Sequence, residues 1–156
     1  MLDLLVDDDI QDRLDGELRA RLEAQLERMV HAAWLTEKTD NELEVTLRLC
    51  TDAAIHILNR DYRNKDKPTD VLAFAQREGD FGDLQPEILG DIVISIDTAA
   101  RQAKVDLFHE LVFLGSHGLC HLLGYDHQDD EEEAAMNARM QQLIAESERS
   151  GPIAAA

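Results

Sequence analysis

Apolar and polar residues alternate along this chain with two different periods, and the switches between them divide it into elements. Residues 2–6 are apolar but for Asp3 and stop at Asp7-Asp8-Asp9, so a short strand is expected there. Leu14, Leu18, Leu22, Leu26, Met29 and Ala33 then recur every three or four positions, which predicts an amphipathic helix over about 10–34. His31 and Trp34, near its end, read as packing residues, and the polar stretch from Thr36 to Asn41 reads as a turn. Leu43, Val45, Leu47 and Leu49 alternate strictly with Glu44, Thr46 and Arg48, the period-two signature of a half-buried strand. Thr51 or Asp52 can cap the next helix, about 52–62. Pro68 breaks the helical pattern, and Val71 to Phe74 reads as a short strand. Residues 75–88 hold Gly79, Gly82 and Pro86 among several charges and read as a mobile loop that can border a site.

The second half is more apolar. Leu89 to Ile96 reads as a strand, and Asp97 can cap a short helix to about Lys104. The helix expected over about 106–123 has nearly continuous apolar faces, which places it at the centre of the domain. Asp129 to Glu133 open a last helix, with acids at its positive end and Met136, Met140, Leu143 and Ile144 on its apolar face. The tail from about residue 150 is expected to fray. The order is β-α-β-α-β-loop-β-α-α-α. It predicts a single α+β domain over 1–156: one small mixed four-stranded sheet packed against about five helices, with the 106–123 helix central.

Composition agrees with one domain. A chain of 156 residues with 44% hydrophobic content can bury a real core. No apolar run approaches the roughly 18 residues of a membrane span, and Met1 to Asp7 carries no basic stretch of the kind that opens a signal peptide. Cys50 and Cys120 form no C-x-x-C and no disulfide framework, which fits a reducing cytoplasm. Charge changes the picture: 33 acids against 15 bases give a formal −18, the opposite of a broad nucleic-acid binder. One basic island interrupts it. Between residues 60 and 67, Arg60, Arg63, Lys65 and Lys67 face only Asp61 and Asp66.

The candidate chemistry lies at the end of the central helix. His117 and His121 are four apart, so on a helix they stand one above the other. Gly124 can take the left-handed conformation that ends a helix, and the chain can then bring back His127. Three converging imidazoles make a zinc site with its fourth position open. The spacing H-x-x-x-H-x-x-G-x-x-H is that of metzincin peptidases, but Gly118 stands where zincins carry their catalytic Glu. At 100° per residue Glu110 falls within roughly 40° of His117 and His121, so it can orient a ligand or be an ordinary solvated acid. His56 lies far in sequence from the three and is taken as a non-ligand. Met136 is read as core packing rather than a methionine beneath the metal.

The segment His117-Gly118, His121-Leu122, Gly124-Tyr125-Asp126-His127 resembles the H-G-x-L-H-L-x-G-Y-D-H signature of the YbeY family, bacterial and organellar endoribonucleases that act in rRNA maturation. Cys120 stands where that family has Leu, as a small apolar core substitute. Leu58, Asn59, Tyr62, Arg63, Asp66, Pro68, Thr69, Asp70, Val71, Leu72 and Phe74 match a second signature, L-N-x-x-Y-R-x-x-D-x-P-T-D-V-L-S-F, with Ala73 in place of Ser. Gly90 to Ser95 resembles a third, looser segment. The resemblance implies a zincin-like fold and one Zn2+ per chain on His117, His121 and His127. It also implies a functional role for Arg63, whose planar guanidinium can fork two phosphate oxygens.

Three functions compete at this stage. The resemblance implies a zinc-dependent single-strand endoribonuclease of rRNA maturation and ribosome quality control. It would meet the small ribosomal subunit through a ribosomal protein or an assembly GTPase, in the cytoplasm and away from membranes. Ligand spacing alone favours a metallopeptidase, which Gly118 counts against. A non-catalytic assembly factor stabilised by zinc is the third. The proton acceptor stays open among the metal-activated water itself, Asp126, Glu110 and a substrate phosphate oxygen.

Overall fold

Alternating side chains settle four strands into one sheet. The computed structural model describes residues 1–37, 39–76 and 85–149. Its elements are β1 (Leu2–Val6), α1 (Gly16–Trp34), β2 (Glu44–Cys50), α2 (Asp52–Arg63), β3 (Val71–Ala75), β4 (Ile88–Ser95), α3 (Ile96–Gln102), α4 (Leu107–Leu122) and α5 (Asp130–Ser147). The sheet order is β1-β2-β4-β3: β1, β2 and β4 run parallel, and β3 runs antiparallel to β4. This is the mixed four-stranded α+β architecture expected, with β3 at an edge. At Gly90, φ is +137° and a Cβ would stand 2.1 Å from the Phe74 carbonyl oxygen, so only glycine lets β3 and β4 approach there.

The pleat sorts the core. Leu47, Leu49, Ile92 and Ile94 face the main cluster with α1, α4 and α5. Cys50, Leu72 and Val93 face the other way, where Ile55 of α2 closes a smaller cluster. Helix α4 packs on β3, β4, α1, α3 and α5, so it is central. It gets that close through small residues. A Cβ at Gly115 would stand 2.8 Å from Leu26 Cδ2 of α1, and one at Gly118 would stand 2.6 Å from Ile92 Cγ2 of β4. No described helix is long and apolar enough to cross a membrane.

Two boundaries differ from the sequence reading. The helix expected from about residue 10 is broken. Asp8–Arg13 form a 3-10 turn, Leu14 is extended, and α1 starts at Gly16 because the Asp15 carboxylate accepts the Leu18 N–H at 2.7 Å. Helix α3 is capped by Ser95 rather than Asp97: Ser95 Oγ accepts the Thr98 N–H at 3.2 Å. Asp97 instead accepts the Asp52 N–H at 2.7 Å and pairs with Arg13, tying the 3-10 turn to α2 and α3. For α2 the cap is Thr51, whose hydroxyl accepts the Ala54 N–H at 3.2 Å. Most of the loop expected over 75–88, residues 77–84, lies outside the described residues, as does the tail from 150.

Candidate metal and phosphate site

The last turn of α4 and the loop after it build the centre of the site. Asp106 caps the start of the helix, accepting the His109 N–H at 2.8 Å. At the far end Gly124 has φ +101°, its N–H reaches the His121 carbonyl and that of Tyr125 reaches the Cys120 carbonyl, each at 3.0 Å. This pair of bonds is a Schellman motif, and it turns the chain back over the helix end. His127 therefore faces His117 and His121, with ring centroids 5.9 and 5.2 Å away. His117 and His121 put their Nε2 atoms 3.2 Å apart, close to the roughly 3.4 Å edge between two nitrogens on tetrahedral zinc. One nitrogen from each of the three rings lies within 4.8 Å of the others.

Electrostatics favours the ligand form. Burial first, then the neighbouring His121, pushes the pKa of His117 down to about 4. Burial and then His127 lower that of His121, and Arg63 adds to the effect. Both imidazoles are neutral at pH 7 with a lone pair to offer, and three nitrogen donors leave room for another ligand. The residues fit a borderline-soft divalent ion such as zinc.

Gly118 sits between the first two histidines and is buried against Ile92. The place where zincins carry Glu is the seam between α4 and the sheet, with no room for a side chain. The absent carboxylate is thus part of how the helix packs.

Arg63 comes from the end of α2. Asn64 takes the left-handed conformation at φ 58°, and its N–H and that of Lys65 both reach the Asn59 carbonyl. Asn59 is buried, and its Nδ2 donates to the Lys67 carbonyl at 2.9 Å. One asparagine thus pins the turn that carries Lys65 and Lys67. Arg63, Lys65 and Lys67 line the same cleft of about 850 Å³ as the three histidines, and none of the three makes an ion pair among the described residues. Asp70, Asp91 and Asp126 also line it, so the cleft wall is balanced in charge on a protein of −18.

The two acids singled out in the sequence part company. Asp126 lies on the cleft and accepts the His127 N–H at 2.8 Å, beside the histidine it precedes. Glu110 does not line the cleft, and its carboxylate accepts from Gln102 at 3.2 Å. A helical wheel hides the reason: seven residues below His117 means a rise of about 10 Å, beyond a carboxylate's reach. Gln102 also donates to Asp70 at 3.2 Å, and Asp70 is the carboxylate that acts on His117. Sequence reasoning noted Asp70 only as part of a motif. Its signal was the Pro68-Thr69-Asp70 turn directly before β3.

The remaining candidates lie elsewhere. His56 Nε2 meets the Asp66 carboxylate at 2.8 Å, and His31 lies against Trp34 with centroids 5.7 Å apart. Met136 and Cys120 are core residues, and burial pushes the Cys120 thiol up to about 12.

The family model described as Endoribonuclease YbeY matches residues 9–148. A relative from Geobacter sulfurreducens named endoribonuclease YbeY is 45% identical over 117 residues, covering 72% of this chain and 77% of its own. Another of that name, from Desulfitobacterium hafniense, is 40% identical over 149 residues, covering 90% and 92%. A solution structure of a Thermotoga maritima protein covers 98% of this chain and 99% of its own. Its TM-score of 0.54 and 24% identity speak for a shared fold.

Proposed function

The chain belongs to the YbeY family, and from that premise we propose that it is a zinc-dependent endoribonuclease cutting single-stranded RNA, its target in the cell an rRNA precursor. One observation carries the reading: three convergent imidazoles, two of them held neutral, share a cleft with an arginine that no carboxylate among the described residues neutralises. A divalent ion on His117, His121 and His127 supplies Lewis-acid polarisation and acidifies water. Arg63 grips two oxygens of the scissile phosphate and offsets the charge that builds there. Asp126, a wall carboxylate with one oxygen engaged by the His127 N–H, takes the nucleophile's proton in this reading. Asp70 is held by Gln102 and the Val71 N–H, which suits it to orienting His117 rather than moving protons.

The metallopeptidase reading loses its base at Gly118 and has no space to regain it. The zinc-stabilised assembly factor predicts binding without turnover. Small-subunit delivery by a ribosomal protein or an assembly GTPase, in the cytoplasm, belongs to the proposal. RNase-free protein incubated with a single-stranded RNA and with casein, with and without chelator, tests it. Chelator-sensitive RNA cleavage with casein intact is expected. Casein cleavage with intact RNA would make it a peptidase, and neither activity in zinc-loaded protein would leave the assembly factor.

A further inference from the structure

One wall of the cleft takes no part in the chemistry proposed so far. The chain has two tyrosines and is only 4% aromatic, yet both tyrosines line this cleft. They differ in setting. Tyr125 is half-buried and packs on the main core. Tyr62 is 70% exposed, in the last turn of α2 directly before Arg63.

Among the described residues, the one ring against Tyr62 is Phe74 of β3, with centroids 5.5 Å apart and planes at 72°. Such an edge contact props the phenol and leaves a π face open. Phe74 itself is seated in the small core beneath α2, so the support is fixed. Covering Phe74 would need only an aliphatic side chain. An exposed ring next to Arg63, Lys65 and Lys67 has instead the make-up of a single-strand nucleic-acid subsite, stacking surface beside phosphate cations.

We infer that Tyr62 is a base-stacking platform: the nucleobase adjoining the phosphate held at Arg63 lies on its ring. The inference rests on the RNA reading above. A base reaches the platform only when splayed out of a helix, so Tyr62 selects unpaired RNA without reading its sequence. Tyr62 is a positioning residue, since the reacting atoms are at Arg63 and the histidines.

An abasic scan tests this. A single-stranded RNA with one known cut is prepared with an abasic nucleotide at each position in turn. For the wild type, kcat/KM should fall about ten-fold at one position beside the cut, the scale of a lost base–aromatic stack. Tyr62→Leu keeps cover on Phe74 and should lose about ten-fold on intact RNA, with no further loss at that position. Tyr62→Phe and Tyr62→Trp should behave as wild type. Binding in chelator, where RNA stays whole, gives a second readout: 2-aminopurine at that position should be quenched by wild type and Tyr62→Phe but not by Tyr62→Leu. RNA cleavage with a flat abasic scan, or a scan unchanged in Tyr62→Leu, would overturn the platform and leave the nuclease standing. No cleavage of any RNA would remove both.

Discussion

At the scale of single residues, the site depends on who neutralises whom. Arg63 keeps its charge for a ligand because no carboxylate among the described residues pairs with it, whereas Arg48, Arg60 and Arg101 are each paired with an aspartate. Arg63→Ala should therefore cut RNA cleavage by 100-fold or more, roughly the 3 kcal/mol of a lost charge clamp, with melting temperature and metal content unchanged. Arg63→Lys should recover only part, since it keeps the charge and loses the fork. A melting temperature that falls with activity would assign Arg63 to the fold instead. For the metal, elemental analysis should find one zinc per chain, lost in His117→Ala, His121→Ala and His127→Ala. Unchanged stoichiometry in all three would move the ion elsewhere. Gly118→Ala should lower the denaturation midpoint. Overpacking against Ile92 costs about 1–3 kcal/mol, and the helix-propensity gain of about 1 kcal/mol offsets part of it. An unchanged midpoint would show that Ile92 yields freely.

At the scale of elements, the ends of β1 and β2 are joined by an ion pair that responds to pH. Arg48 Nε and Nη2 donate to the two oxygens of Asp7 at 2.8 and 2.7 Å. This fork holds the Asp7 carboxyl below its ordinary value of 3.8. A carboxyl depressed in the folded state stabilises the fold above its unfolded pKa and loses that contribution as pH falls through the folded value. Asp7→Asn should thus lower stability at pH 7 by about 0.5–1 kcal/mol, a range reduced for the pair's solvent exposure, and the deficit should shrink as pH falls below the ordinary value of 3.8. Chemical denaturation of both proteins at pH 7, 5 and 3 measures it, and a deficit constant across pH would point to packing. The same strands show how much of the fold was legible. Period-two alternation located β2 to within a residue, helical spacing found α1 and α5, capping residues marked α2 and α3, and an almost continuous apolar surface marked α4. The break at Leu14 was hidden because the apolar spacing continues across it: Leu14 is buried like Leu22, though it is not on the helix.

At the scale of the molecule, the charge of −18 and the balanced cleft set how RNA is met. With Arg63, Lys65 and Lys67 as phosphate contacts, two or three counterions are released, a slope of roughly −1.5 to −2 in log Ka against log salt on single strands. Filter binding across a salt series should give weak affinity and this shallow slope. Sedimentation should show tighter association with small ribosomal subunits, where an acidic surface meets basic protein. Tight binding to naked RNA with a steep slope would show a larger basic surface than the three cations provide.

Local order was readable because it is written in short spacings. The step of four from His117 to His121 makes about one helical turn, and glycine at 124 permits the positive φ that brings His127 back. Caps such as Thr51 and Asp129 sit within three residues of the N–H they accept. Contacts between distant parts of the chain were decided by tertiary structure alone. Ile92 occupying the space beside Gly118, Asp97 drawn away to Arg13 and Asp52, and Asp70 rather than Glu110 acting on His117 through its charge all join residues 26 to 84 apart. No periodicity reports such a contact, since it depends on where the sheet and the helix ends come to lie in space.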